Sequence, residues 1–456
     1  MKTVSFDAAA TVILRKRNTW KKAVVAFTRM TICFSLSIAS EPIPAKKQEK
    51  PIVLIGGTIH TVSGPVIENG MLLFEKGKIT KIGKNIDLPA NTERIDVSGK
   101  HVYPGLINAA SQVGLNEIEA ARATLDYSET GRINPNVRTD VAVNPESELI
   151  PTTRANGVTL SHVVPSGSLI AGRSSIMLMD GWTNEEMTLK TPAGLFVNWP
   201  SMTISRSSFA RQSEEEQKKN IEKNLNELRN AFADARAYLK AKKADPAKHQ
   251  TDLRWEAMEP LFDRSMPLIV AANEIQQIQA AVRFAKDENV RLVIHGGRDA
   301  WRAAALLKEN NVAVIVEQVL DLPGKRWEEY DNPYTLPAKL HQAGIVFAIS
   351  GGGAGPMYER NVAYQAAMAA AFGLPKDEAL KSVTQNAATV LGIAATNGSL
   401  EVGKDATLIV TTGDPLEIKS NVEMEFIQGK KIDLRSRHTQ LWKKYEEKYR
   451  QLGIVK

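Results

Sequence analysis

Two histidines stand where acid–base chemistry could occur, and imidazole suits this chemistry because its ordinary pKa of about 6.5 lies near neutral pH. The chain has seven histidines. His162 ends the apolar run 158–163 and His295 ends the run that begins at residue 290, so both are predicted to end strands and to face one site. We take His162 and His295 as candidate catalytic residues. A lone histidine on an apolar strand is more often a core residue whose ring nitrogens form hydrogen bonds within the protein. A purely structural role for His162 and His295 therefore also stays open.

Several other chemistries have no support in the sequence. The single cysteine, Cys33, lies in an apolar stretch near the N-terminus, and a chain cleaved after that stretch would contain none. Disulfides, thiolate metal ligands and a cysteine nucleophile are therefore not expected. Neither the Gly-x-Ser-x-Gly elbow of serine hydrolases nor the His-Glu-x-x-His helix of zinc proteases occurs.

The net charge of +7 does not indicate a nucleic-acid partner. Residues 1–50 hold ten Lys or Arg and three Asp or Glu, so this segment carries the whole excess. The remaining residues are formally neutral and need not form a basic face. We therefore expect no nucleic-acid partner.

The basic N-terminal segment is typical of an export signal. Clusters at 15–17 and 21–22 precede the apolar stretch 30–39, and Ser37 and Ala39 supply small residues at a cleavage site. Ten apolar residues are too few to cross a bilayer, so we expect no membrane span. We predict a signal peptide over 1–39, a polar linker over 40–50, and a periplasmic or extracellular protein. The alternative is a leader with no targeting role.

The apolar pattern changes twice along the chain. Short strand patterns occupy residues 52–82, with a hairpin predicted at Lys76-Gly77. From about residue 104, strand patterns alternate with amphipathic helix patterns, which indicates a parallel sheet covered by helices. Strand patterns return near residue 398. A small β unit is thus expected to form from both chain ends, with the α/β body inserted between them.

Two further helices are predicted at the periphery. Ser213 can cap a helix over 213–243, with glutamates at 214–216 in its first turn and lysines near its end. A charged C-terminal helix is predicted over 437–451.

Four groups of residues form motifs along the chain. They are Val102-Tyr103-Pro104-Gly105-Leu106-Ile107-Asn108, Gly56-Gly57-Thr58-Ile59 with Glu75-Lys76-Gly77-Lys78-Ile79, Thr384-Gln385-Asn386-Ala387-Ala388 with Leu391-Gly392, and the stretch 398–406 with Gly413-Asp414-Pro415. In their order and spacing over roughly 51–434 they resemble the motifs of the amidohydrolase superfamily, close to its imidazolonepropionase-like branch.

The resemblance implies a fold class: α/β, a distorted (β/α)8 TIM barrel with a composite β-sandwich. On this basis 51–103 and 396–434 form the sandwich, 104–395 the barrel with a helical insertion at 213–243, and 435–456 the C-terminal helix. The activity it implies is hydrolysis of carbon–nitrogen bonds in cyclic amides, peptides or related small molecules.

The resemblance also implies one or two divalent metals, such as zinc, at the barrel mouth. The usual ligands are two histidines spaced by one residue after strand one, histidines after strands five and six, and an aspartate after strand eight. At the matching positions this chain has Ala110 and Gln112, Ala271, and a glycine near Gly352; only His295 could ligate. From these replacements we expect no cofactor.

The sequence therefore leaves three functions open. The chain is a metal-dependent hydrolase like its family, a catalytically inert binding or scaffold protein that pairs with a metal-complete relative, or a hydrolase rebuilt on His162 and His295. The small-molecule ligand is not determined, and both homo- and hetero-oligomers remain open.

The export hypothesis gives a direct prediction. We expect the native protein to lack its first ~39 residues, because basic, apolar and small-residue segments follow one another there. N-terminal sequencing or intact-mass measurement of protein from its own cells would check this. Native protein that still contains residues 1–30 would contradict it.

Overall fold

The computed structural model describes residues 43–206, 211–351 and 355–455. The predicted signal peptide 1–39 and the Gly352 position lie outside these ranges.

The N-terminal strands form the first half of a largely antiparallel sheet. The strands are β1 Ile52–Ile59, β2 Ile67–Glu75, β3 Lys78–Gly83, β4 Glu93–Asp96 and β5 His101–Pro104. The predicted hairpin is confirmed: Glu75 pairs with Lys78, and Lys76 and Gly77 between them both have positive φ, as tight hairpin turns require.

The next eight strands form a second sheet that curls into a nearly closed barrel. They are β6 Leu106–Ser111, β7 Val158–Val163, β8 Ile170–Leu178, β9 Thr188–Asn198, β10 Leu268–Ala272, β11 Leu292–Gly296, β12 Ala313–Val316 and β13 Phe347–Ile349. Their spatial order follows their order in the chain. Every residue of β6 and β7 is buried, because a sheet covered on both faces offers no solvent-facing side. The predicted α/β barrel is confirmed.

One strand departs from the simple strand–helix alternation. β8 runs antiparallel to both β7 and β9, whereas the other neighbouring strands of the barrel pair in parallel. The six residues 164–169 between β7 and β8 explain this reversal. A parallel crossover needs a dozen or more residues, so this short connection can only form an antiparallel turn.

Helices cover the outside of the barrel. The α-helices of the described residues are α1 Leu149–Arg154, α2 Asn184–Met187, α3 Glu214–Ala244, α4 Leu253–Glu256, α5 Glu259–Phe262, α6 Ile275–Asp287, α7 Ala304–Glu309, α8 Asn332–Gln342, α9 Val362–Ala371, α10 Lys376–Ser382, α11 Gln385–Val390 and α12 Arg437–Gln451. Short 3-10 helices span Arg122–Thr124, Ala300–Ala303 and Pro356–Asn361. No helix in the described part of the chain has the length and apolar character to cross a membrane.

The long helix α3 forms for the reasons seen in its sequence. Ser213 and Glu216 make a reciprocal capping box at its N-terminus. Leu228, Phe232 and Ala235 are buried along one stripe, and the Phe232 ring packs edge-on against Phe284 of α6 with centroids 4.9 Å apart. α3 is thereby fixed to the barrel's helical layer.

Alternate residues of the barrel strands divide between two cores. Ile269, Val293 and Ile315 belong to the cluster inside the barrel, whereas Val270 and Ile294 belong to the cluster beneath the helices. This alternation follows from the period-two direction of side chains along a strand. The inward-facing side chains fill the interior of the barrel below its mouth. The opening lies at the C-terminal ends of the strands.

The C-terminal strands complete the first sheet. They are β14 Leu408–Thr411, β15 Val422–Ile427 and β16 Lys430–Lys431, and β14 pairs antiparallel with β5 from Leu408–Pro104 to Thr411–His101. The barrel is therefore inserted between two halves of one sheet, as the sequence pattern predicted.

A buried ion pair joins the barrel to this sheet. Arg154 of α1 donates to Asp180, which follows β8, at 2.8 Å, and both side chains are under 5% exposed. Lys430 of β16 donates to the other Asp180 oxygen at 3.2 Å. Glu425 of β15 is also fully buried, and burial raises its pKa well above the usual value against the effect of Arg154. Asp180 is therefore the carboxylate that neutralises Arg154.

We expect Asp180→Ala to lower the free energy of unfolding by about 3 kcal/mol, because it leaves the Arg154 guanidinium buried without its partner. Urea unfolding followed by circular dichroism measures the change. Asp234→Ala on the exposed face of α3 is the matched control and should change stability little. Equal urea midpoints for the two variants would show that the pair contributes nothing.

Candidate active site

A cavity of about 690 Å3 opens at the C-terminal ends of the barrel strands. Residues at or just after the ends of six strands line it: Ser111, Asn198, Asn273, His295, Glu317 and Ser350. Parallel strands place their carboxyl ends at one edge, so residues far apart in sequence converge there. The volume is that of a small-molecule site.

His295 lines this cavity and has a ring nitrogen without a hydrogen-bond partner among the described residues. The residue is 9% exposed, and among the described residues its buried Nε2 has no hydrogen-bond partner. The Phe196 ring packs edge-on against it with centroids 5.3 Å apart. Burial lowers the pKa of His295, and the Glu317 carboxylate partly opposes this shift. A neutral imidazole that lacks a protein partner is free to bond to a ligand.

His162 lies in a different environment. It is fully buried and does not line the cavity. Its Nδ1 donates to the Ala109 carbonyl at 2.8 Å, and the Ser174 hydroxyl lies 2.7 Å from Nε2, where it can donate. Burial lowers the pKa of His162 to about 4, and the nearby charge of His295 adds to this. Both ring nitrogens are therefore occupied by the protein itself.

Three of the four positions matched to family metal ligands lie at the cavity. Ala110, Gln112 and Ala271 all line it, together with His295. A methyl group has no donor atom, and a carboxamide is a weak neutral ligand. No three His, Cys, Asp or Glu side chains of the described ranges are placed to hold a metal ion. These residues do not fit the family's usual ligand set.

The cavity carries negative charge without a compensating cation. Glu119 and Glu317 line it, and neither forms an ion pair within the described part of the chain. No Lys or Arg belongs to its described lining. Glu119 is exposed at the cavity edge. Glu117, two residues before it, instead accepts a hydrogen bond from Ser147 at 2.9 Å.

Further polar side chains at the strand ends line the cavity, and the sequence analysis did not identify them as site residues. Asn198 ends β9, and Asn273 and Glu317 follow the ends of β10 and β12 directly. Their position after an apolar run is the signal that could have found them, because the last residues of parallel barrel strands face the mouth.

A buried carboxyl group beneath the cavity was also missed. Glu359, in the 3-10 helix Pro356–Asn361, accepts hydrogen bonds from the Ser111 hydroxyl at 2.5 Å and the Gln112 backbone amide at 2.9 Å. Burial raises the pKa of Glu359 to about 7. A Cβ on Gly351 would meet the Glu359 carbonyl oxygen at 3.0 Å, so glycine permits this close approach. No motif marks Glu359, because its partners come from a strand 248 residues away.

Comparisons with known proteins identify the fold family. The family model for the amidohydrolase family matches residues 335–432. The imidazolonepropionase of Mesorhizobium japonicum is 24% identical over 414 residues, which is 83% of this chain and 92% of that protein. The crystal structure of an amidohydrolase from Thermotoga maritima has a TM-score of 0.74 at 27% identity and covers 84% of this chain and all of its own. These matches confirm the resemblance of the chain to the amidohydrolase superfamily.

Within this superfamily the chain is similar to the imidazolonepropionases. A second imidazolonepropionase, from Brucella anthropi, is 24% identical over 76% of this chain and 87% of its own length. The resemblance inferred from the sequence motifs is therefore confirmed, and a carbon–nitrogen hydrolase-like function follows at the level of the family.

The expectation that the chain has no cofactor is contradicted by these relationships. The amidohydrolase family, which the chain resembles, uses divalent metals. The replaced residues describe the usual ligand positions only, so they do not justify the expectation.

Glu359 gives a pH prediction. The unfolded carboxyl group ionises near its ordinary 4.5 and the folded one near 7, so the folded state holds a proton that the unfolded state has lost. The group's stabilising contribution is therefore complete below about pH 4.5 and is lost as the pH rises through 7. At about 1.4 kcal/mol per pKa unit the loss is roughly 3 kcal/mol.

We expect Glu359→Gln to remove this loss, because the carboxamide oxygen keeps both hydrogen bonds and cannot ionise. Urea midpoints at pH 5 and pH 8 measure the effect. The variant should be more stable than the parent protein at pH 8 but not at pH 5. Glu222→Gln on the exposed face of α3 is the control. The same pH dependence in Glu359→Gln and the parent would refute the assignment.

Proposed function

We propose that the protein acts on a small amide-bearing molecule that binds in the barrel-mouth cavity, with His295 as the residue that exchanges a proton with it. The observation that carries this proposal is that His295 lines a cavity of small-molecule size and that its buried Nε2 has no hydrogen-bond partner among the described residues. Amide groups from Gln112, Asn198 and Asn273 surround the same space and can pair with a ligand carbonyl and N–H.

The charges of the cavity favour a particular kind of ligand. Glu119 and Glu317 disfavour a carboxylate or phosphate group on the ligand, because no Lys or Arg of the described lining balances them. A neutral or positively charged amide is the better match. Phe196 and Tyr127 add apolar and aromatic surface for its body.

Hydrolysis of such an amide would use His295 in two proton transfers. Water adds to the carbonyl carbon as its proton passes to Nε2, and the same proton then goes to the nitrogen as the carbon–nitrogen bond breaks. The products are a carboxylic acid and an amine, so the atoms balance. General acid–base assistance of this kind contributes roughly 100-fold to 10,000-fold in rate.

A second candidate function is binding without turnover, either alone or beside a metal-complete relative. The methyl groups of Ala110 and Ala271 favour it, because they stand at the cavity where the family places ligand side chains. We propose that the family's ligand set is replaced at these positions and at Gln112. His162 contacts the ligand in neither proposal, because both of its ring nitrogens form hydrogen bonds within the protein.

The experiment is a substrate screen with matched variants. We expect the parent protein to hydrolyse at least one of a set of amino acid amides, N-acyl amines and cyclic amides, none of which carries a carboxylate. His295→Ala should lower kcat/KM at least ~100-fold, the lower end of the contribution of a positioned acid–base group. His249→Ala, whose side chain is remote from the cavity, should leave it unchanged.

All assays are run both on protein as purified and with added zinc, alongside elemental analysis of the protein. Turnover that is equal in the parent and His295→Ala would refute the role of His295. Saturable binding by calorimetry, weakened in His295→Ala and without turnover under either condition, would favour the non-catalytic candidate.

A further inference from the structure

A second cavity lies at the opposite end of the barrel, where it has no part in the proposed function. Its volume is about 490 Å3, and it lies beside the N-terminal ends of β10 to β13. Residues of the connections that precede these strands form its walls, among them Arg264 before β10, Asn289 before β11, Asn311 before β12 and Val346 before β13. We call this cavity the basal groove.

Three cations line the basal groove: Arg264, Lys286 and Arg291. None of them forms an ion pair with another described residue, and no Asp or Glu belongs to the described lining. Arg264 donates to the Asn289 side-chain oxygen at 2.9 Å and Arg291 to the Ser265 carbonyl at 3.0 Å. The Lys286 ammonium has no side-chain partner in the described ranges.

Acidic residues adjacent in sequence do not neutralise this charge. Asp263 accepts a hydrogen bond from the Ser265 amide at 2.8 Å, and Glu288 pairs with Arg236 at 3.0 Å. Asp287 and Glu309 do not line the groove. The pKa of Lys190, in the same region, is lowered mainly by burial and further by the positive charge of Arg291. The described lining of the basal groove therefore carries positive charge without an acidic side chain.

The size and surroundings of the groove select the kind of anion. Residues 51–456 are formally neutral, so the net charge of this part of the chain does not favour a long polyanion. The volume is that of a small molecule. Pro267, Val293 and Val390 contribute apolar surface that can contact an organic body.

We propose that the basal groove binds a small organic molecule that carries a phosphate group. Guanidinium and ammonium groups donate charge-assisted hydrogen bonds to phosphate oxygens, and three cations match a dianion better than a single carboxylate. The carboxamides of Asn289 and Asn311 supply further donors. The barrel thus presents carboxylates at its mouth and cations at its base.

Phenyl phosphate is the probe, titrated calorimetrically into the full chain at low salt. Phenol, which lacks the charge, and benzoate, which carries one negative charge, are the comparison ligands. We expect saturable binding of phenyl phosphate, weaker binding of benzoate and none of phenol, with the phosphate affinity falling as salt is added.

Lys286→Gln is the principal variant, because it removes a cation without breaking a contact of the described structure. We expect it to weaken phenyl phosphate binding by roughly tenfold to 100-fold, the loss expected for one hydrogen bond to a charged group. Lys218→Gln, an exposed lysine of α3 outside the groove, is the matched control. Arg291→Gln combined with Lys286→Gln should weaken binding further, with circular dichroism to confirm folding.

Three results would overturn the proposal: no saturable binding of phenyl phosphate at millimolar concentration, an unchanged affinity in Lys286→Gln, or equal binding of benzoate. Amide turnover at the mouth is measured separately, so failure of the basal groove and failure of the proposed function are distinguishable.

Discussion

The curling of the barrel sheet, which brings its first and last strands together, is the constraint on which the mouth depends. Side chains fix this contact at the strand ends: the Gly351 amide donates to Asn108 of β6 at 3.1 Å, and Glu359 accepts from Ser111 and the Gln112 amide. Both contacts join the region after β13 to the end of β6. Without them Ala110 and Gln112 would not face His295 across one cavity. The carboxyl group that holds this junction is buried, and burial raises its pKa, so the same interaction that closes the mouth makes it sensitive to pH.

A related constraint acts between the barrel and the sheet that flanks it. Arg154 and Asp180 are buried together, with Lys430 and Glu425 from the C-terminal strands beside them. Buried charges of this kind stabilise a fold only when every partner is present, because each is costly without its counter-charge. The two halves of the flanking sheet thus meet the barrel through polar contacts as well as apolar packing.

The two ends of the barrel differ in charge, which separates the two proposals physically. Glu119 and Glu317 at the mouth favour a neutral or positive amide, whereas Arg264, Lys286 and Arg291 at the base favour an anion. A charge on a ligand that suits one end is repelled at the other. Each proposal therefore rests on its own lining residues, and the resemblance to the amidohydrolase superfamily supports only the first.

The sequence by itself determined the architecture. Strand and helix periods, the Lys76-Gly77 turn and the Ser213 cap depend on neighbouring residues, so they could be predicted locally. The assignment of Ala110, Gln112 and Ala271 to metal-ligand positions came from motif alignment and stays a prediction. Tertiary structure decided which polar groups meet: the reversal of β8, the enclosure of His162 by Ala109 and Ser174, and the contact of Glu359 with Ser111. Neither the pKa of a buried group nor the freedom of an imidazole nitrogen follows from sequence, because both depend on atoms that only folding brings within hydrogen-bonding distance.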